Sequence, residues 1–295
     1  MTEPVGTPVR TTAEPVALEA HRLSLAFGGL KAVTDFSLQL PAGGLYGLIG
    51  PNGAGKTTVF NLLTGVYRPD TGHVELGGQR IDGKKPSHIA RAGMARTFQN
   101  IRLFGELSVI DNIRTAAGVR TRSGLFRTLL RTPLHVAEER AITERSLELL
   151  DVLKIGHRRD EQAKCLSYGD QRRLEIARAL ATEPKVLLLD EPVAGMNTLE
   201  KREMRGLIQS LREPFGVAIL LIEHDMGLVM DICEQITVID HGVTIACGAP
   251  KAIQGDPAVI EAYLGVPDEE VDPLPPASGA PRTEAPDPAR PAGET

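Results

Sequence analysis

The pattern of apolar positions predicts strands of two kinds. Leu23, Leu25 and Phe27 alternate with polar residues, as in a strand with one buried face, and Val33–Leu40 predicts a second strand beside it. Other runs are apolar almost throughout, as in parallel strands buried on both faces. These runs are Leu45–Ile49, Val186–Leu189 and Val217–Ile222. We also predict a strand over Met94–Phe98, and hairpins about Gly77-Gly78 and His241-Gly242.

Helical segments are predicted between most of these strands. One follows Leu45–Ile49 and ends near Thr64, one covers Pro86–Ala92, and one begins at the capping sequence Ser108–Asp111. Others cover Ala137–Leu153, the stretch after Leu166–Asp170 up to Pro184, and Leu199–Arg212. Strands that alternate with helices predict an α/β fold with a mostly parallel central sheet.

The two ends of the chain are predicted to be disordered. Residues 1–16 have no apolar periodicity, and residues 267–295 hold eight prolines among almost no bulky apolar side chains. A single ordered body is therefore expected over residues 17–266. Within it, residues 114–131 contain five Arg and no acid.

Composition narrows the classes of function. The net charge is −5, and the seven acidic residues and two Arg of residues 267–295 account for all of it. The rest of the chain is balanced, which gives no electrostatic case for nucleic acid. Cys165, Cys233 and Cys247 show no paired spacing and are interpreted as reduced core residues. No apolar signal region or membrane span is evident, so a membrane role is expected to come through a partner.

The main chemical motif lies between the Leu45–Ile49 strand and the helix that follows it. It fits G-x-x-x-x-G-K-[ST], the Walker A pattern of a P-loop, whose backbone N–H groups surround a phosphate. Its residues are Gly50, Pro51, Asn52, Gly53, Ala54, Gly55, Lys56, Thr57 and Thr58. Lys56 is expected to reach the β- and γ-phosphates, Thr57 to ligate Mg²⁺, and the helix N-terminus to add partial positive charge.

Further candidate residues follow predicted strands or begin a predicted helix. Asp190 and Glu191 come at the carboxyl end of a buried strand, the edge at which open α/β sheets bind ligands. Leu166–Asp170 begins a helix whose free N–H groups could hold another phosphate. Phe27 and His224 are two further candidates. Taken singly, these residues have ordinary structural interpretations: a solvated turn for Asp190-Glu191, a core side chain for Phe27, and a structural residue for His224.

The ordered set resembles the ATP-binding subunits of ABC transporters over about residues 18–264. That resemblance implies an ABC ATPase fold, namely a P-loop core with an antiparallel β subdomain and an α-helical subdomain. It places the helical subdomain at about 100–182, with an insertion at about 114–136. It also implies ATP and Mg²⁺ as cofactors. By position, it assigns adenine stacking to Phe27, water and metal contacts to Gln99, metal positioning to Asp190, the general base to Glu191 and a γ-phosphate contact to His224. Ala194–Asn197 falls where the family has a dimer-contact loop, and Ser167, Tyr168, Gly169 and Asp170 form the signature, which acts on the ATP of a second subunit.

Longer stretches are similar to the LivG-type subunit of high-affinity branched-chain amino-acid importers. They are Arg96–Phe104, Tyr168–Glu175, Ile222–Met226 and Ala262–Gly265. The general signature is Leu-Ser-Gly-Gly-Gln, so Asp170 places a carboxylate where the family has an amide, although the Tyr-Gly-Asp form looks normal within this subfamily. The implied partners are a second related ATPase or another copy of this chain, two permeases and, indirectly, an extracytoplasmic binding protein, with the chain on the cytoplasmic face of the membrane.

Other functions stay open from the residues alone. The alternatives are the motor of a related urea, amide or other amino-acid importer, and an ABC ATPase that works without permeases. A GTP switch is disfavoured because the chain has no Asn-Lys-x-Asp motif. The Arg-rich residues 114–131 are expected either to face the permeases or lipid headgroups, or to form a solvated loop.

Overall fold

The protein was analysed as a computed structural model. The structure describes residues 15–120 and 133–264. The predicted tail, most of the predicted leader and most of the Arg-rich segment lie outside these ranges.

A six-stranded sheet forms the centre of the fold. Its strands are β3 (Leu45–Ile49), β6 (Met94–Arg96), β7 (Val186–Asp190), β8 (Ala218–Ile222), β9 (Gln235–Asp240) and β10 (Val243–Gly248). Their order is β10-β9-β3-β8-β7-β6, and all neighbours are parallel except β9 and β10. Because β3, β7 and β8 run the same way, their carboxyl ends meet at one edge, and the candidate residues cluster there.

A second, antiparallel sheet covers one face of the first. It contains β1 (Val16–Phe27), β2 (Leu30–Pro41), β4 (Thr71–Leu76) and β5 (Gln79–Arg80) in the order β2-β1-β4-β5. Buried and exposed positions alternate along β1 and β2, as a strand with one buried face requires. The register between β1 and β2 shifts between Ala20 and Leu23, where Arg22 has a positive φ of 46°.

Helices cover the remaining surfaces. Those of eight or more residues are α1 (Lys56–Leu63), α3 (Val109–Ala117), α4 (Pro133–Val152), α5 (Tyr168–Leu180), α6 (Thr198–Ser210) and α10 (Pro257–Leu264). The shorter ones are α2 (Pro86–Ala92), α7 (Arg212–Phe215), α8 (Met226–Ile232) and α9 (Pro250–Gln254). The helical unit between β6 and β7 contains α3, α4 and α5, which pack on one another.

The central sheet has a hydrophobic core on each face. Alternate residues of β7 enter different cores, with Leu187 and Leu189 facing the helices and Val186 and Leu188 facing the antiparallel sheet. All four are fully buried. Burial of one such side chain contributes about 1.5–3 kcal/mol, so this apolar strand anchors both layers and fixes the position of Asp190 at its end.

The observed architecture confirms the predicted α/β class, with its mostly parallel sheet, antiparallel sheet and helical unit. β3 and α2 have the predicted bounds. Other boundaries differ: Val16 already belongs to β1, the strand predicted to reach Phe98 ends at Arg96, and α4 begins at Pro133 rather than Ala137. The sequence analysis did not predict α8, whose N-cap is Asp225.

The interpretation of all three cysteines as core residues was wrong for two of them. Cys233 is buried, whereas Cys165 and Cys247 are exposed. Burial raises the pKa of the Cys233 thiol to about 12. Cys247 lies on the edge strand β10, where its sulfur accepts from the Gln235 amide at 2.9 Å. Its exposure therefore follows from its position at the edge of the sheet.

Candidate active site

The P-loop is a tight connection between β3 and α1 that requires glycine. A Cβ atom on Gly50, where φ is 154°, would lie 2.0 Å from the Ile239 carbonyl oxygen. One on Gly55, where φ is 101°, would lie 2.6 Å from the Ala32 carbonyl oxygen. Neither position can hold a side chain without moving a neighbouring strand or loop. The loop is therefore fixed against the body of the protein, while Asn52, Gly53 and Thr57 remain exposed.

Lys56 is buried at the start of α1, with its ammonium group directed at the loop. Its Nζ donates to the carbonyl oxygens of Gly50 at 2.6 Å and Pro51 at 2.7 Å. Burial lowers the pKa of Lys56, and the nearby carboxylates of Glu191 and Asp190 act in the opposite direction. The cation thus lies between the loop and the strand-end carboxylates.

Asp190 is held by an arginine that the sequence analysis did not identify. An Arg96 Nη atom donates to Asp190 Oδ2 at 2.7 Å, and both side chains are almost fully buried. The other Arg96 Nη atom donates to Asn61 Oδ1 at 2.7 Å, and the guanidinium lies over the rings of Phe60 and Phe98. Parallel pairing of β6 with β7 brings the two residues together. This pairing joins positions 94 residues apart, and no local signal marks it.

Glu191 lies at the centre of a polar group at the same edge. Its Oε2 accepts from Gln99 Nε2 at 3.1 Å and lies 3.7 Å from His224 Nδ1. The backbone at Glu191 has a φ of 47°, in the left-handed region that non-glycine residues seldom adopt. Such strain is maintained where the surrounding structure enforces it, often at functional sites. The structure thus brings together Gln99, Glu191 and His224, which are far apart in sequence.

Glu223 is a buried carboxylate beside this group that was also missed. Its oxygens accept from the backbone N–H groups of Val193 at 3.0 Å, His224 at 3.1 Å and Asp225 at 3.4 Å. Burial raises its pKa, and the backbone donors partly offset that effect. Glu223 therefore ties the loop after β8, which carries His224, to the loop after β7.

The signature residues occupy the N-terminus of α5. The Ser167 side chain accepts from the Asp170 backbone N–H and caps the helix. Ser167 and Tyr168 are exposed, whereas Gly169 is buried beside the Glu200 carboxylate. The Asp170 carboxylate lies 3.6 Å from Arg158 Nε. Arg158 donates to Glu161 at 3.0 Å as well, so it offsets only part of the negative charge that Asp170 introduces where the general signature has an amide.

A buried ion pair connects the signature helix to the segment around Gln99. Arg172 and Glu175, one turn apart on α5, pair at 3.0 Å. Arg172 also donates to the carbonyl oxygens of Phe98 and Gln99, and to the Tyr168 hydroxyl. Glu175 accepts from the Phe98 backbone N–H at 3.2 Å, and burial raises its pKa. Both residues lie in the stretch Tyr168–Glu175, which resembles the LivG-type subunit, but their contacts depend on the tertiary fold and were not predicted.

Phe27 lies at the end of β1 and is exposed, as an aromatic residue that stacks on a ligand must be. Its ring meets the Tyr67 ring edge-on, with centroids 5.2 Å apart. In the Ala194–Asn197 loop, Gly195 approaches the Tyr168 ring, and Asn197 caps α6 through the N–H groups of Leu199 and Glu200. The candidate dimer-contact loop and the signature are therefore neighbours.

A groove opens between the sheet body and the helical unit, with a volume of about 620 Å³. Its walls come from α2, β6 and Thr64, which follows α1, on one side, and from α3 and α5 on the other. Phe104 is exposed at the groove and carries the Arg178 guanidinium over its ring, at 4.7 Å from the centroid. Phe98, which is held by Arg172 and Glu175, also lines it. The groove therefore borders the segment that carries Gln99.

The P-loop, the strand-end carboxylates and the helix-capping signature together define a class of protein. The family model described as ABC transporter matches residues 33–194. The chain belongs to the ABC transporter family, as one of its ATP-binding cassettes. The class brings ATP binding and hydrolysis, dimerisation of cassettes and membrane-embedded permease partners.

Within this family, the chain is similar to ATP-binding proteins of branched-chain amino acid transport. The chain is 46% identical over 248 residues to the high-affinity branched-chain amino acid transport ATP-binding protein LivG of Salmonella typhimurium, covering 84% of this chain and 97% of the relative. It is 44% identical to BraF of Pseudomonas aeruginosa, described in the same words, over the same shares of the two chains. A second family model, described as branched-chain amino acid ATP-binding cassette transporter, matches residues 243–269.

Solved structures agree with the fold. A crystal structure of an ATP-binding cassette of an ABC transporter in its ADP conformation matches with a TM-score of 0.74 and 30% identity. The match covers 85% of this chain and 99% of that one. Within residues 15–120 and 133–264, no helix is both long and apolar enough to cross a membrane.

Proposed function

We propose that this chain is the ATP-hydrolysing motor subunit of an ABC importer for branched-chain amino acids. The observation that carries the substrate class is the similarity to LivG and BraF along nearly their whole length, together with the second family match at residues 243–269. The matched C-terminal segment includes Tyr263. Burial raises the pKa of its phenol, and the nearby backbone of Gly50 opposes part of that shift. The segment typical of this transporter class thus adjoins the start of the P-loop.

In this proposal the P-loop binds the phosphates of ATP. Its exposed N–H groups and the N-terminus of α1 face the phosphates, and Lys56 exchanges its carbonyl contacts for phosphate oxygens. Phe27 stacks on the adenine. The donors near the loop are the Thr57 hydroxyl, the Asp190 carboxylate and the Gln99 amide, which are hard oxygen ligands that suit Mg²⁺. When bound there, Mg²⁺ would neutralise charge on the β- and γ-phosphates.

Glu191 is the proposed general base. Its carboxylate would accept a proton from the water that attacks the γ-phosphate, while the amide of Gln99 orients the same water. His224 would contact the γ-phosphate from the loop after β8. The observed contacts support this assignment, because Glu191 Oε2 already lies within reach of both Gln99 and His224.

The signature is proposed to complete the site of a partner cassette. Ser167 and Tyr168 are exposed at a helix N-terminus, where free N–H groups and the helix dipole favour a phosphate. The partner is either a second, related ATPase or another copy of this chain. In both cases the ATP-bound dimer is the unit that hydrolyses ATP, with the Ala194–Asn197 loop at the contact.

The groove is the proposed docking site for one of the two permeases. It is mostly lined by apolar side chains, with Arg102 and Arg178 at its polar side, and its size suits a short amphipathic helix. An occupant would touch Phe98 and so sense the segment that carries Gln99. The chain would then lie on the cytoplasmic face of the membrane, and the extracytoplasmic binding protein would act only through the permeases.

The domain organisation stays a proposal as well. Residues 17–266 are proposed as the ATPase domain, with a helical subdomain at about 100–182 and an insertion at about 114–136. Residues 1–16 and 267–295 are proposed as disordered ends, apart from the last leader residue, Val16, which pairs in β1.

Uptake of radiolabelled leucine tests the substrate class. Cells that lack the chain should lose high-affinity uptake, the intact chain should restore it, and Glu191→Gln should not. Lys251→Ala, an exposed change on α9, is the matched control and should restore uptake fully. Normal leucine uptake without the chain, combined with lost uptake of urea or a short amide, would assign the motor to a related importer instead.

A further inference from the structure

The outer face of the antiparallel sheet carries a cluster of histidines and carboxylates. β1 and β4 pair in register, with His21 opposite His73 and Glu19 opposite Glu75. The residues between them, Ala20 and Val74, point to the core and are fully buried. Because side chains alternate along a strand, the two histidines and two glutamates share the outer face.

These four side chains are already close together. The imidazole rings of His21 and His73 stack with centroids 4.5 Å apart and an angle of 18° between their planes. His21 Nε2 lies 3.3 Å from a Glu19 oxygen, and His73 Nε2 lies 3.4 Å from a Glu75 oxygen. One ligand atom from each of His21, His73 and Glu75 can be chosen so that all lie within 4.8 Å of one another.

We propose that His21, His73 and Glu75, with Glu19 as a ligand or an orienting partner, form a binding site for a divalent transition metal of the zinc class. Imidazole nitrogens with a carboxylate oxygen are a donor set that suits Zn²⁺, Cu²⁺ and Ni²⁺ rather than Mg²⁺. At bond lengths of about 2.0–2.1 Å, tetrahedral ligand atoms are separated by roughly 3.4 Å. Small side-chain rotations on a fixed sheet would therefore bring the ligand atoms to that spacing.

The environment of the cluster restricts the motion of its side chains. The side chains are half-buried, with exposed fractions of 38% for His21, 33% for His73 and 31% for Glu75. Glu19, at 22%, also accepts from Gln39 on β2 at 3.3 Å, which limits its motion. Histidine ligands in metal sites commonly contact a carboxylate through their second nitrogen, the arrangement that Glu19 offers to His21. A bound ion would join β1 to β4 through side chains.

The test is metal binding by the full chain without nucleotide. The background carries Cys165→Ser and Cys247→Ser, because these exposed thiols could bind zinc themselves. After chelator treatment and dialysis, Zn²⁺ titration by calorimetry should show one ion bound per chain. Co²⁺ should give the visible spectrum of a nitrogen and oxygen ligand set, without thiolate bands.

Matched variants locate the ion. His21→Gln and His73→Gln should each weaken Zn²⁺ binding about 100-fold or more, and Glu19→Gln about 10–100-fold. His88→Gln and His157→Gln, at exposed positions elsewhere, should leave it unchanged. Thermal melts in chelator confirm that each variant is folded, and Zn²⁺ should raise the melting temperature of the background protein but not of His21→Gln/His73→Gln.

Three results would overturn the proposal. The first is the absence of stoichiometric Zn²⁺ binding, and the second is undiminished binding in His21→Gln/His73→Gln. The third is binding that His224→Gln abolishes and His21→Gln leaves intact, which would place the ion at the nucleotide edge. None of these results bears on the proposed ATPase function, because the four residues lie on the antiparallel sheet.

Discussion

The P-loop and the signature each lie at a helix N-terminus that is proposed to bind a phosphate, but their surroundings differ. At the P-loop, Gly50 and Gly55 are packed against backbone, Lys56 is buried, and Asp190 is paired with Arg96. At the signature, Ser167 and Tyr168 are exposed, and Arg158 is directed at Asp170. The residues of the P-loop are thus held in place within the chain, whereas the signature is an exposed surface. The difference fits the proposal that each chain supplies one half of a nucleotide site and that its signature completes the site of a partner.

The largest effect on ATP binding is expected from removing the positive charge of Lys56 in the P-loop. Lys56→Ala should weaken ATP binding by about 100-fold or more, because it deletes charge-assisted hydrogen bonds to the phosphates. Calorimetric titration with Mg-ATP measures this. Lys251→Ala, which removes an exposed lysine on α9, is the control and should bind normally. Near-normal affinity in Lys56→Ala would remove the P-loop from the nucleotide site.

The ion pair that connects the signature helix to the segment around Gln99 should contribute strongly to stability. Arg172→Met leaves the Glu175 carboxylate buried without its partner, which should cost about 3–5 kcal/mol in unfolding free energy. Urea denaturation measures the loss, and Arg172→Met/Glu175→Leu should recover a large part of it. Lys164→Met breaks the exposed pair with Glu106 and should cost less than about 1 kcal/mol. Equal costs for the two single variants would show that the Arg172–Glu175 pair is no more important than a surface pair.

The reactivity of the thiols should differ between the buried Cys233 and the exposed Cys165 and Cys247. This test requires no substitution and so leaves stability unchanged. Burial raises the pKa of the Cys233 thiol to about 12, so very little of the reactive thiolate forms at pH 8. Cys165, just before the signature, and Cys247 are exposed. Iodoacetamide followed by mass spectrometry should label these two quickly and Cys233 only after unfolding. Rapid labelling of Cys233 in the native protein would mean that α8 opens readily.

Sequence reasoning was strongest where local chemistry decides the structure. β3 is bounded by a Gly-Gly turn and the P-loop, and α2 by Pro86 and Gly93, so both were predicted to the residue. The candidate residues Gln99, Glu191 and His224 were found through the order of motifs, and the structure brings them together. Their roles remain proposals.

Features that depend on contacts between distant segments were not predictable in this way. The Arg96–Asp190 pair depends on the register of β6 and β7, and the Arg172 bonds depend on the position of α5 against Phe98 and Gln99. The short helix α8 contains Gly227 and has too few residues for a clear period, so its cap, Asp225, was the only local signal. The exposure of Cys165 and Cys247 likewise depended on the fold.

The central claim is that the open signature completes the nucleotide site of a partner, and ATP-dependent dimerisation of Glu191→Gln tests it most directly. Removing the proposed base should slow phosphate release about 10²–10⁴-fold while ATP still binds. The chain should then run as a dimer in size-exclusion chromatography with Mg-ATP, alone or with a partner ATPase. Adding Ser167→Arg, a change at an exposed position, should abolish the dimer without affecting ATP affinity. A dimer that persists in Glu191→Gln/Ser167→Arg would contradict the account.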